Sequence, residues 1–386
     1  MQALFWISLA LLFYTYLGYG LLLFVVTLFY KRKSPAPPPD LPALTLIIPA
    51  YNEEAFIEKK IGNALSLRYP KGKLFLLFVT DGSTDSTNAL IRRYKEVTLL
   101  AEDERQGKSA AINRAMQQVK TPVVVFTDAN TLLQEDCLLQ MVQHYSDSSV
   151  GGVAGEKRIM DKDASAVGLG ERLYWQYESL LKKAGAKFYS VVGAAGELFS
   201  IRTALFRPVN ESVILDDFVI SASVCLQGYR FVYEEKAIAM ETASASIAEE
   251  RKRKTRISAG CFQALLLLTG LLNPFRNARL AFQYISHRVL RWTLCPLCLP
   301  LLFLSNLVLV FSGAGPFYTL FLAGQVLFYG LAFRGGVMGG KKSPKRLVLV
   351  PYYFVFMNWS LCIGFYRFLT KKQTVFWKKA RRKTFL

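Results

Sequence analysis

The tightest constraint on this chain is Val123-Val-Val-Phe-Thr127, a run of β-branched and aromatic residues closed by Pro122 before it and by Asp128-Ala-Asn130 after it. So short an apolar run between breakers predicts a buried central strand. Its carboxyl end then presents an acid and an amide two residues apart. In open α/β sheets, ligands gather beyond the carboxyl ends of the strands. Two oxygen ligands on a strand-end turn suit a hard divalent cation that completes its shell with water and substrate phosphates. The same residues also suit an Asx-type turn that merely closes a strand, so the neighbouring segments must decide.

Those segments alternate in period. Leu44 to Pro49, Leu74 to Val79 and Val97 to Leu100 read as strands; Asn52 to Leu67, Ser86 to Tyr94 and Lys108 to Val119 have helical spacing. Strands separated by helix-length segments predict an α/β fold with a parallel sheet and right-handed crossovers. Three strand ends then share one edge: Pro49-Ala50-Tyr51, Asp81-Gly82 and Asp128-Ala-Asn130. A nucleotide belongs there. Asp81 is placed to accept hydrogen bonds from a base or ribose, and Glu53 likewise, although an acid at a helix start also complements the helix dipole. Gly107 and Lys108, at a helix start, suit a phosphate. Arg105-Gln-Gly-Lys-Ser109 is not a P-loop, because Glu102 stands where the first glycine is required.

Composition sets the surroundings. The chain has 386 residues, 52% of them hydrophobic, and a net charge of +20. That is too apolar for an ordinary soluble enzyme and too charged for a membrane bundle, so a soluble domain joined to membrane segments is expected. The basic residues cluster beside apolar stretches, at Lys31 to Lys33, Lys341-Lys342 and Lys378 to Lys383. This is the positive-inside pattern; no nucleic-acid recognition motif accompanies it, and nucleic acid is not an expected partner. Cys295 and Cys298 have redox or zinc spacing but lie in an apolar run without a second pair, which reads as packing. His144 and His287 are far apart and flank no nucleophile, arguing against histidine-based catalysis.

Five pieces, in order, carry a resemblance to the family 2 glycosyltransferases: Ile48 to Glu54, Asp81 to Asp85, Arg105 to Asn113, Thr127 to Asn130 and Leu215-Asp-Asp217. The closest resemblance within the family is to membrane-embedded synthases of the cellulose, hyaluronan and poly-N-acetylglucosamine type. It implies a GT-A fold, a Rossmann-like mixed sheet, and an inverting transfer from a nucleotide sugar, with a UDP-sugar favoured. The family's Asp-x-Asp metal motif reads Asp128-Ala-Asn130 here, which implies Mg²⁺ or Mn²⁺ at Asp128 and Asn130. The resemblance places the catalytic base at Asp217 and the preceding acid at Asp216. An acceptor hydroxyl must lose its proton as it attacks the anomeric carbon. Gly196-Glu197 matches the acceptor-side loop, and Lys254 and Arg256 match the basic positions of a diphosphate-binding motif. Ile257 stands where the synthases have Trp. Trp377 and Arg381 resemble a gating segment over the nucleotide. Tyr174, Trp175, Tyr177 and Glu178 suit either a sugar-stacking platform or helix packing.

The expected layout follows: a transmembrane anchor over 1–30, a proline-rich linker over 31–43, a cytoplasmic catalytic domain over 44–250 and basic interfacial helices over 251–291. A transmembrane hairpin over 292–335 and an interfacial or transmembrane helix with a basic tail over 336–386 complete it. The catalytic domain is expected at the cytoplasmic face of the cell membrane, in contact with membrane lipid. The expected partners are a nucleotide sugar, a glycan or lipid-linked acceptor and a secretion partner. Two other readings stay open: transfer of one sugar to a lipid carrier, and a non-catalytic scaffold that keeps the fold.

Overall fold

The computed structural model describes residues 1–30, 38, 40–160, 166–338, 346–374 and 376. Its centre is an eight-stranded sheet of β1 (Leu44–Ala50), β2 (Leu74–Thr80), β3 (Thr98–Leu100), β4 (Val123–Phe126), β5 (Leu132–Leu133), β6 (Val150–Met160), β7 (Phe199–Arg202) and β8 (Arg230–Thr242), in the order β3-β2-β1-β4-β7-β6-β8-β5. The expected parallel half is present: β1 pairs in parallel with β2 and β4, and β2 with β3. Beyond β4 the sheet turns mixed. β7 runs antiparallel to β4 and β6, while β6 and β8 are parallel.

Both faces of the sheet are covered. On one face Ile47, Val79, Val124 and Phe126 pack with Ile112; on the other Ile48, Phe78 and Val125 pack with Ile61 and Leu138. This is why the central strands read as unbroken apolar runs.

The first predicted helix starts later than its spacing suggests, at Ile57 rather than Asn52. Asn52 has φ 52°, a left-handed conformation that Asn tolerates and a helix forbids. Its side chain accepts from the Thr84 amide at 2.8 Å, and Glu54 accepts from the Ser86 amide at 3.1 Å. Much of the polar character of Asn52-Glu-Glu54 and Ser83-Thr-Asp85 thus serves to tie two strand-end turns together.

Among the described residues, four helices are long and apolar enough to cross a membrane: Gln2–Leu28, Leu294–Phe311, Pro316–Met338 and Arg346–Leu369. Cys295 and Cys298 are buried, unpaired thiols on the second of these. The expected boundary between catalytic domain and interfacial helices, at 250/251, falls inside one helix, Ile247–Leu267, whose first turn is capped by Ser246 accepting from the Glu249 amide. Helix Arg346–Leu369 lies along it. Tyr353 donates to Glu250 at 3.1 Å, Gly364 abuts Ser258, and Phe365 and Phe368 pack on Phe262.

Candidate active site

At the carboxyl end of β4, three acids meet one lysine. Lys108 donates to Asp128 Oδ1 at 2.8 Å and lies 3.3 Å from Asp216 Oδ2. Lys108 opens helix Lys108–Met116, and Gly107 before it has φ 105°, which favours glycine. Asp81 aims this loop: its carboxylate accepts from the Gln106 amide at 3.0 Å and the Gly107 amide at 2.6 Å, and it is 5% exposed. Burial and two loop amides make it the anchor of the lysine loop.

Asp216 and Asp217 open helix Asp216–Leu226. Asp217 Oδ1 accepts from the Phe218 amide at 2.8 Å. Burial, then the adjacent Asp216, push its carboxyl up to about 7, against the opposing pull of Lys108. Gly196 shows how closely these groups converge. A methyl at its Cα would stand 3.2 Å from Lys108 Nζ, 3.3 Å from Asp217 Oδ2 and 3.4 Å from Asp128 Oδ1. Arg256 looks toward the same acids: burial lowers its guanidinium to about 10, and Asp216, Asp217 and Asp128 oppose the shift.

Behind this edge runs a buried charge relay that no sequence pattern announces. Glu197 binds Lys157, Lys157 also binds Glu241, and Glu241 accepts from Asn130 Nδ2 at 3.4 Å. The bond uses the amine end of Asn130 and leaves the oxygen end for another role. Lys157 and Glu241 lie among other charged residues on β6 and β8, and only the pairing of those strands shows that these two meet. Lys60, fully buried, is a second missed residue. It donates to Thr127 Oγ1 at 3.1 Å and to the Thr131 carbonyl at 2.7 Å.

At the outer edge, the Arg105 guanidinium lies 3.8 Å from the centre of the Tyr51 ring and 5.3 Å from that of Phe376. Pro49 and Ala50 end β1 beside it. Glu53 contributes main-chain bonds to this turn, accepting from Phe56 and Ile57 and donating to Thr87 Oγ1. Trp377 and Arg381 lie outside the described residues.

Lys254 is not brought to this edge. It is 4% exposed, 3.6 Å from Glu250 and 4.6 Å from the Tyr174 ring centre. It lines instead a cavity of about 390 Å³ that Asp217 and Glu197 also line. Tyr174, Trp175, Tyr177 and Glu178 line the same space. Of the two readings for this cluster, sugar platform and helix packing, the cavity keeps both.

Among the described residues no group of three or more His, Cys, Asp or Glu side chains is arranged to hold a metal ion. The donor set instead suits a cation shared with its substrate: one carboxylate whose Oδ2 has no partner among the described residues, plus one amide oxygen.

A mixed sheet with acids at its central strand end and an acidic pair opening a helix opposite defines a GT-A glycosyltransferase. Residues 45–208, under half of the chain, match the model of glycosyl transferase family 2. It is 26% identical over 238 residues to the poly-β-1,6-N-acetyl-D-glucosamine synthase of Staphylococcus aureus (strain COL), covering 59% of this chain and 56% of the relative. The synthase of that name from Staphylococcus epidermidis is 24% identical over 234 residues, covering 58% and 55%. The match thus spans just over half the length of these curated relatives. In fold, the chain is similar to the mannosyltransferase PcManGT from Pyrobaculum calidifontis, solved with GDP-Man and Mn²⁺. That likeness has a TM-score of 0.73 at 24% identity and covers 96% of this chain and 99% of the other.

Proposed function

We propose that this chain is an inverting enzyme that moves a sugar from a nucleotide sugar, with a UDP-sugar favoured, to a hydroxyl of a membrane-associated glycan. The observation that carries the reading is the convergence of Asp128, Lys108 and Asp217 on Gly196. It sets a diphosphate-side charge cluster against a carboxyl whose affinity for protons is tuned to neutral pH.

Asp217 takes the proton from the acceptor hydroxyl as its oxygen attacks the anomeric carbon. The bond from that carbon to the diphosphate breaks, and the nucleoside diphosphate leaves with the electron pair. A base near 7 suits this task at neutral pH. Lys108, and Arg256 beyond it, hold positive charge where the leaving group develops negative charge. Asp128 and the Asn130 amide oxygen would hold Mg²⁺ or Mn²⁺, which when bound neutralises the diphosphate and eases its departure. Tyr51 and Arg105 present a stacked face where a nucleoside is expected.

The catalytic domain sits on the cytoplasmic face in this reading. Helix Arg346–Leu369 is interfacial rather than spanning. Its first half bonds the buried ion cluster of Glu250, Glu171 and Arg253 through Tyr353, and Phe376 beyond its end meets Arg105 at the donor edge. Charges of that kind do not belong in hydrocarbon. Both ends of the helix therefore stay on the catalytic side.

Purified membranes incubated with radiolabelled UDP- and GDP-sugars test the proposal. The expected result is divalent-dependent transfer from one of them to a membrane-extracted acceptor. Failure of every donor would leave the scaffold reading standing, and product length would separate a polymer from a single transfer.

A further inference from the structure

The cavity beside Asp217 has two kinds of wall. Asp217, Glu197 and the Ala166–Phe188 helix belong to the catalytic domain, whereas Tyr16 comes from Gln2–Leu28, and Tyr353, Phe354 and Met357 from Arg346–Leu369. Both of the latter helices are apolar enough for a bilayer. A molecule in this cavity therefore lies between the catalytic base and the membrane.

Five cations line the cavity. Arg288 and Arg291 bind Glu178. Arg253 binds Glu171 and Glu250, and Lys254 is paired with Glu250. Lys182 is different. It is 5% exposed, yet among the described residues its ammonium makes no hydrogen bond and no ion pair. Its neighbours are ring faces, with Trp175 at 5.3 Å and Tyr233 at 6.0 Å. Glu178, Glu197 and Glu156 act on it at longer range. Glu178 is ion-paired with its arginines and Glu197 with Lys157, while Glu156 accepts from the Tyr233 hydroxyl and forms no ion pair among the described residues. Trp175 adds a second idle donor, for its Nε1 is buried without an acceptor among the described residues. An ammonium that lines a partly closed cavity with no hydrogen bond or ion pair among the described residues is unfavourable, and so is a buried N–H left unbonded. Burial accordingly lowers the pKa of Lys182. Both defects are relieved together by one anion.

We propose that Lys182 and Trp175 seat the phosphate of a lipid-linked acceptor, whose chain leaves along the apolar helices and whose sugar hydroxyl faces Asp217. This rests on the reading of Asp217 as the base. The transfer is unchanged: the hydroxyl oxygen bonds to the anomeric carbon, its proton goes to Asp217, and the nucleoside diphosphate departs. What is added is the acceptor's class. A phosphate-bearing amphiphile is required because a neutral glycan would leave the ammonium uncompensated, and a soluble anion would not use the membrane-side wall.

Full-length protein in phosphatidylcholine nanodiscs is titrated with farnesyl phosphate, farnesol and inorganic phosphate, with binding followed by tryptophan fluorescence. Farnesyl phosphate is expected to bind at least about tenfold more tightly than either control, the ratio that one charge-assisted hydrogen bond supplies. In Lys182→Met and Lys182→Gln the preference over farnesol is expected to vanish; in Lys182→Arg it is expected to persist. Nucleotide affinity, read in the same samples, should not change. Equal binding of farnesol by the wild type overturns the proposal, as does equal binding of inorganic phosphate or a preference that survives in Lys182→Met. The wild-type comparison decides even where a variant fails to fold. Absence of nucleotide binding by the wild type would instead sink the glycosyltransferase reading, and leaves the phosphate preference as a separate result.

Discussion

The ammonium of Lys60 lies 3.1 Å from Thr127 Oγ1, and Thr127 in turn donates to the carbonyl of Glu197 at 2.8 Å. One buried lysine thereby couples the turn bearing Asp128 to the loop bearing Gly196. Lys60→Met removes both of its bonds and leaves the Thr131 carbonyl unsatisfied. A loss of about 1–3 kcal/mol in domain stability is expected, together with a fall in transfer rate larger than any fall in nucleotide affinity. An unchanged melting temperature and rate would show that the coupling has no consequence.

Asp217→Asn keeps the shape of the side chain and removes its ability to take a proton. Transfer should drop by about 10²–10⁴-fold, while nucleotide binding stays close to wild type. The same carboxyl sets a pH dependence. With its pKa raised to about 7, it is protonated and inactive as a base below that value, so the rate should fall about tenfold per unit as pH drops from 7 to 5. A rate that is flat over this range, with the substrate's own ionisation accounted for, rules Asp217 out as the base.

Gly196→Ala is a steric test. The added methyl falls 3.2–3.4 Å from Lys108, Asp217 and Asp128, in the space the reacting atoms need. At least about a tenfold loss of transfer is expected, since small misplacements at reacting centres have effects of that order or larger. Melting temperature should barely move. Full activity would place the reaction elsewhere.

Asp128→Ala should abolish the metal dependence of nucleotide binding, measured by titrating UDP with and without Mn²⁺. Asn130→Asp has two opposed effects. It supplies a second charged ligand, but sets a carboxylate against Glu241, which now accepts from Asn130 at 3.4 Å. The expected outcome is tighter metal-dependent binding and a lower melting temperature without metal. Tighter binding with no loss of apo stability would mean that the Asn130–Glu241 bond contributes nothing.

A cysteine introduced at Thr384, in a background lacking the six native cysteines, reports the side of the tail. Intact cells should leave it unlabelled by a membrane-impermeant thiol reagent. Labelling would make Arg346–Leu369 a span and would remove the tail from the donor edge.

The parallel half of the sheet and the strand end at Asp128 were legible in the sequence, because each is written locally, whereas the acid pair at Asp216-Asp217 was singled out by the family resemblance. Short apolar runs, breakers and helix-start chemistry depend on neighbours a few residues apart. The apolar helices were legible for the same reason. Tertiary structure decided what depends on residues far apart in the chain. The anchoring role of Asp81 becomes visible only once the loop folds and two of its amides reach the carboxylate. Lys157 and Glu241 are two of several charges on separate strands, and only the pairing of β6 with β8 makes them a relay to Asn130. The idle ammonium of Lys182 is also invisible in sequence. Whether such a cation has an ion-pair partner is set by distances between the Ala166–Phe188 helix and the strands and loops around it, and no local pattern encodes that absence.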